Sequence, residues 1–157
     1  MWNTGCNRIS NRLNAPLFIL DGEDTSLKIQ IPPGGVSNWE SVIFPWCNRN
    51  EEIVKKAFRV TNQHTGKTFL YIYQDFHSNE ICWSLSDDED MWTNRRVVTD
   101  AQNRDARLAP KSAIDIMITA DNVWGFETPS ENKVFGEVLN VVVQVARVAG
   151  QVLTAML

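Results

Sequence analysis

The chain has 157 residues, of which 43% are hydrophobic and 22% are charged, so it can build one substantial core and is too apolar for a disordered protein. Its 15 basic and 19 acidic residues give a net charge of -4, which argues against a broadly basic surface for nucleic acid. We therefore expect a folded protein with no nucleic acid partner.

The cysteines and the N-terminus indicate a compartment. Cys6, Cys47 and Cys82 are odd in number and widely spaced, so we expect ordinary buried thiols and no disulfide framework. No apolar stretch follows Arg8 and Arg12, so the pattern of a secretory signal peptide is missing. We expect a cytoplasmic protein, although this pattern leaves release from the cell open.

Up to a boundary at residues 127–130 the chain consists of short apolar runs separated by turn residues, which is typical of antiparallel β structure. Strands are predicted at 16–20, 27–31, 39–46, 58–61, 68–74, 81–85 and 114–118. The strongest signal is a hairpin over 56–74, where Gly66 lies in the turn. Its returning strand is expected to be central, with Phe69, Tyr71 and Tyr73 on one apolar face and the next residues on the other.

Residues 131–157 carry polar side chains that step alternately by four and three positions, which predicts a helix. Two apolar stripes run along it, formed mainly by Val134, Phe135, Val138, Leu139, Val141, Val142, Val145, Val148, Val152 and Leu153. The predicted fold is therefore mainly β: an antiparallel β-sandwich of about seven short strands over residues 1–130, followed by one long C-terminal amphipathic α-helix over residues 131–157.

A helix with two apolar stripes needs a cover, which its own sheet, copies of the same helix or a lipid membrane can supply. Self-association is favoured, so we expect a homo-oligomer. The alternative is a membrane-active, pore-forming protein that inserts residues 131–157 into lipid. That arrangement resembles the actinoporins in plan only: a β-sandwich that carries one membrane-inserting helix.

The candidate ligand-binding residues lie in and beside an acidic run, Asp87–Asp90. They are Trp83, Asp87, Asp88, Asp90 and Trp92. Carboxylates there can hydrogen-bond sugar hydroxyls while an indole stacks on the ring, or can offer oxygen ligands to Ca²⁺. The competing interpretation is a solvated loop, with Trp83 in the core because it alternates with Ile81 and Leu85.

Trp92 and three further indoles lie nearer strand ends and loops, where an exposed ring can serve as a ligand platform. They are Trp39, Trp46, Trp92 and Trp124. Packing in the core or at an edge is the competing expectation for each.

The sequence offers little for catalysis. His64 falls in the hairpin turn, and His77 with Cys82 does not make a tetrahedral metal site. Nucleotide-binding and common hydrolase motifs are missing. We expect no enzyme, no cofactor and no metal.

These patterns favour a non-enzymatic, oligomeric β-sandwich binding protein, assembled through its C-terminal helix, with lectin-like glycan recognition as the first ligand class. The second hypothesis is the pore-forming protein. The third is a purely structural, self-assembling protein without a ligand.

Overall fold

A computed structural model of the chain describes residues 3–109 and 112–127, which are mainly β. The described elements are β1 (Gly5–Asn11), β2 (Leu17–Asp21), β3 (Lys28–Ile31), β4 (Val36–Ile43), β5 (Trp46–Cys47), α1 (Asn50–Lys56), β6 (Phe58–Asn62), β7 (Lys67–Asp75), β8 (Ile81–Leu85), β9 (Arg96–Val97), β10 (Thr99–Asp100), β11 (Ala113–Ile118) and β12 (Val123–Glu127). None of the helices described is long and apolar enough to cross a membrane.

The strands form two sheets. The five-stranded sheet has the order β10-β12-β11-β1-β4. The seven-stranded sheet has the order β3-β2-β6-β7-β8-β9, and β5 pairs with the end of β7. Three neighbouring pairs are parallel, namely β1 with β11, β10 with β12 and β5 with β7, and the other pairs are antiparallel.

The two sheets share one core. Ile9 and Ile116 of the five-stranded sheet pack in the same buried cluster as Leu70, Ile72 and Trp83 of the seven-stranded sheet. Alternation along each strand supplies these residues, because every second side chain of a strand points to the same face. Each sheet therefore buries one of its faces against the other sheet.

The seven-stranded sheet is covered on its other face as well. There Ile53 and Ala57, from α1 and its end, pack with Tyr71, Tyr73 and Cys82 in a second buried cluster. β7 is thus a central strand with two apolar faces, as predicted. Phe69 was placed on the wrong face: the register between β6 and β7 shifts beside it, and the ring joins the first cluster.

β4 lies at one edge of the five-stranded sheet and is interrupted in its middle. Glu40 and Ser41 both have left-handed backbone, with φ of 54° and 63°. The pairing with β1 shifts at this point, because Cys6 faces Val42 and Arg8 faces Asn38. Ser41 Oγ also donates a hydrogen bond to the Asn7 side chain opposite. The edge is therefore bent away from a regular ladder.

The predicted fold class is wrong in several respects. The described residues hold twelve strands where about seven were expected, and the sheets are mixed where they were expected to be antiparallel. Their helix is the 7-residue α1, which was not predicted, and not a long C-terminal amphipathic helix. The helix placed over 131–157, with its ten apolar residues, lies outside the described residues.

The local predictions did better. The hairpin is confirmed as β6 and β7, with Gly66 in left-handed backbone at φ 71°. The strands predicted at 16–20, 27–31, 81–85 and 114–118 correspond to β2, β3, β8 and β11. The run 39–46 is divided between β4 and β5. Cys6, Cys47 and Cys82 are all free and buried, as expected of ordinary thiols.

Candidate functional site

The acidic run follows β8 in an exposed loop, and its last member is used to build a turn. Asp90 accepts hydrogen bonds from the backbone N–H of Thr93 at 3.1 Å and from its hydroxyl at 2.8 Å. These bonds hold the pKa of Asp90 below its ordinary value. Asp87 is exposed and Asp88 is half-buried. The Asp90 carboxylate thus shapes its own loop, and the described residues contain no group of three side chains placed to hold a metal ion.

The predicted indole partners of this run differ in placement. Trp83 is only 1% exposed and lies in the shared core. Trp39 and Trp124 are also buried. Trp92 is half-buried at the surface, and so is Trp46. Of the candidate platforms, these two indoles alone remain within reach of a ligand.

The structure brings Trp46 and Trp92 to one surface, which we call the aromatic cluster: Trp46, Phe76, His77, Trp92 and Arg95. Phe76 is 43% exposed and meets Trp46 edge to face, with ring centroids 6.2 Å apart at 81°. His77 meets Phe76 at 5.6 Å and 86° and lies 6.5 Å from Trp92. The exposed Phe76 ring is therefore flanked by two other rings.

Backbone pairing fixes this geometry. β5 runs parallel to the end of β7, so that Trp46 faces Gln74 and Cys47 faces Asp75. The pairing continues into the loop, where the N–H of Phe76 donates to the carbonyl of Cys47 at 3.1 Å. The loop then closes tightly, since the N–H of Asp75 donates to the carbonyl of Glu80 at 2.8 Å. Phe76 and His77 are thus carried at the tip of a short, well-paired hairpin.

Asp75 is the buried anchor of that tip. Its carboxylate accepts hydrogen bonds from the N–H groups of His77 at 2.8 Å and Ser78 at 3.3 Å. Arg95 adds a charged hydrogen bond from Nε at 3.2 Å. Burial alone would raise the pKa of Asp75, but these hydrogen bonds and the Arg95 charge outweigh it, so the pKa is lowered.

Arg95 connects the hairpin tip to the loop that carries Trp92. Its guanidinium carbon lies 4.0 Å from the centroid of a Trp92 ring, and Nη1 donates to the Trp92 carbonyl at 2.7 Å. The backbone N–H of Trp92 donates to the Asn50 side chain at 2.7 Å. One face of the Trp92 indole is therefore covered by a cation, and the Trp92 backbone is fixed by its hydrogen bonds with Arg95 and Asn50.

Polar groups surround the rings. Trp46 Nε1 donates to Asn3 Oδ1 at 2.8 Å. Asn48, two residues further on, has a buried side-chain oxygen without a hydrogen-bond partner in the part of the chain that the structure describes. Behind the cluster, Tyr73 shares a 2.7 Å hydrogen bond with Ser84, whose hydroxyl donates to the Met91 carbonyl at 3.0 Å. The loop is thus tied to the sheet beneath it.

The cysteines near this surface are poor nucleophiles. Burial raises the pKa of Cys47 and of Cys82 to about 12 each. A thiol that holds its proton at neutral pH does not react as a thiolate. Cys82 directs its thiol at the carbonyl of Glu80 at 3.8 Å. Neither thiol is therefore suited to act as a nucleophile at this surface.

No protein-family model, curated protein or solved structure matches this chain.

The site was predicted in part from the sequence, since Trp46 and Trp92 were each named as platforms, but Phe76, Asp75 and Arg95 were not. No periodicity marks them: Phe76 follows the last residue of β7. Its position between the strands predicted at 68–74 and 81–85 was the available signal, because loop aromatics are candidates for binding.

Proposed function

We propose that this is a non-enzymatic binding protein whose aromatic cluster recognises a glycan. The observation that carries the proposal is the Phe76 ring, 43% exposed and flanked edge to face by Trp46 and His77. An exposed ring can stack on the C–H face of a sugar while polar groups at its rim bond the hydroxyls. His77 and Asn3 supply such groups beside the rings.

Preorganisation supports the same proposal. A large exposed aromatic side chain normally loses entropy when a ligand fixes it. Here the hairpin tip is already fixed by Asp75, and the Trp92 loop is fixed by Arg95. A ligand therefore meets a surface whose backbone is already ordered.

The other roles expected from the sequence are supported by fewer observations. Assembly into a homo-oligomer and insertion into a membrane both rested on a helix over residues 131–157, which lie outside the described residues. If the binding test fails, the remaining hypothesis is a purely structural protein without a ligand.

The test is glycan binding by the full-length protein, first on an array and then by calorimetry with the best oligosaccharide. Phe76→Ala should weaken binding about tenfold, which corresponds to about 1.4 kcal/mol. Val54→Ala is the matched control, because Val54 is 46% exposed on α1 and outside the aromatic cluster. Binding that survives Phe76→Ala unchanged contradicts the site. An array without any bound glycan contradicts the ligand class.

A further inference from the structure

The five-stranded sheet has a second face, turned away from the shared core. On β11, Ile116 and Ile118 point into the core, so Asp115 and Met117 point the other way. Met117 faces Trp124 on β12, and Asp115 faces Phe126. Directly opposed residues of neighbouring strands lie on the same side of a sheet. The outer face is therefore built from Asp115, Met117, Trp124 and Phe126, which we call the outer patch.

The outer patch is buried. Met117 is 0% exposed, Phe126 2% and Trp124 5%. Yet none of the three belongs to either cluster of packed apolar side chains, and α1 packs on the seven-stranded sheet. An apolar sheet face that was open to water would show much higher exposure. Neither of the two clusters nor α1 accounts for this burial, so this face needs another cover.

The charged and polar side chains of the same face are buried as well. Asp115 is 0% exposed and pairs with Arg8, whose Nη2 atom lies 3.0 Å from the carboxylate. The Arg8 backbone N–H donates to the other carboxylate oxygen at 3.1 Å. Next to Met117 in the register, Ser10 is also fully buried. The Arg8 partner allows Asp115 to be buried, and the burial of both Asp115 and Ser10 fits a face that is shielded from water.

We propose that residues 128–157 of the same chain are this cover and dock on the outer patch. They follow β12 directly, and β12 carries Trp124 and Phe126, so the segment starts at the edge of its own docking surface. Its charged residues are Glu131, Lys133, Glu137 and Arg147, which sum to zero, and the remainder is rich in valine. A tethered apolar segment also has a far higher effective concentration at this face than a second molecule.

The test uses photo-methionine, an isosteric diazirine amino acid, in the full-length chain. The substitutions Met91→Leu and Met156→Leu leave probes at positions 1 and 117. Irradiation should link position 117 to peptides from residues 128–157 within one monomer, as mapped by mass spectrometry. Links from position 117 only to residues 3–127, or to a second copy seen as a dimer band, would overturn the proposal.

A matched chain serves as the control. It keeps Met91 and carries Met117→Leu and Met156→Leu. Met91 packs in the second cluster, so its links should stay within that cluster and avoid residues 128–157. A second measurement uses a chain that ends at residue 127. Acrylamide quenching of Trp124, obtained by difference from Trp124→Phe, should rise when the cover is removed. Unchanged quenching in a folded shortened chain contradicts the docking, and where that chain does not fold the crosslink decides.

Discussion

Arg95 donates a hydrogen bond from Nε to the buried carboxylate of Asp75 at 3.2 Å and so joins two separate loops of the protein. Asp75 begins the hairpin tip that carries Phe76, whereas Arg95 belongs to the loop that carries Trp92. The ion pair therefore sets the relative position of the rings proposed to bind a ligand. Its disruption should affect stability and binding together.

Arg95→Lys tests the link between the loops. Lysine keeps the charge but cannot both stack flat on Trp92 and bond Asp75 with a planar group. We expect the free energy of unfolding to fall by about 1 kcal/mol and glycan affinity to fall with it. Urea denaturation measures the first. Arg104→Lys, at an exposed loop position, is the control and should change neither.

The fall in the free energy of unfolding at acidic pH should depend on Asp75. Its folded pKa is lowered below the ordinary 3.8, so the folded state binds fewer protons in that interval than the unfolded state. The stability it contributes is present above the unfolded pKa and is lost as the pH falls through the folded pKa. Asp75→Asn should therefore cost about 2 kcal/mol at pH 7 and progressively less below about pH 4.

The measurement is urea unfolding of both proteins between pH 2.5 and 7. Other carboxyl groups with shifted pKa values, such as Asp21 and Glu52, are present in both proteins and cancel in the difference. A difference that stays constant across this range would show that Asp75 does not titrate in the way its contacts indicate.

The thiols should be unreactive in the folded protein. Burial raises the pKa of Cys47 and Cys82 to about 12, and burial followed by the Asp115 charge raises that of Cys6. At pH 8 a thiol of pKa 12 carries about a thousandfold less thiolate than one of pKa 9. Ellman's reagent should label the native protein very slowly and all three thiols in urea. Rapid labelling of one thiol in the native state would contradict this burial.

Two buried tryptophans should respond differently to the same substitution. Trp124 Nε1 donates to the Thr119 hydroxyl at 3.0 Å, whereas Trp83 Nε1 is buried without an acceptor among the described residues. Trp124→Phe loses a hydrogen bond, but Trp83→Phe removes an unsatisfied donor. We expect Trp124→Phe to destabilise by about 1 kcal/mol more in thermal or urea unfolding. Equal losses would mean that packing alone decides both.

Sequence periodicity predicted the strands in which apolar and polar or small side chains alternate. β3 and β6 alternate because they bury one face. β8 and β11 are buried on both faces, but they alternate in the sequence because their second face carries side chains such as Ser84 and Asp115. β1 was missed although it pairs on both sides in its sheet. Its buried positions include Ser10 and Asn11, and Asn11 is retained by donating to the carbonyls of Ala15 and Ile31. A strand with such polar residues at buried positions shows no apolar pattern in the sequence.

The candidate site was predictable in its parts but not in its assembly. Trp46 and Trp92 were identified because indoles near strand ends are suited to binding. They come near each other through the parallel pairing of β5 with β7 and through the contact of Arg95 with Asp75. Both contacts join distant parts of the chain, and no local pattern encodes them. The same holds for the parallel pair of β1 and β11, which made the expected antiparallel sheets wrong.

The left-handed residues Glu40 and Ser41 in β4 have a consequence for solubility. A long regular edge strand offers a row of free N–H and C=O groups on which another molecule can polymerise. Here the row is cut between Trp39 and Val42, so an incoming strand finds only short stretches to extend. Replacing the kinked residues with a regular strand would lengthen this template. The bend therefore leaves no long regular ladder in β4 for an incoming strand to extend.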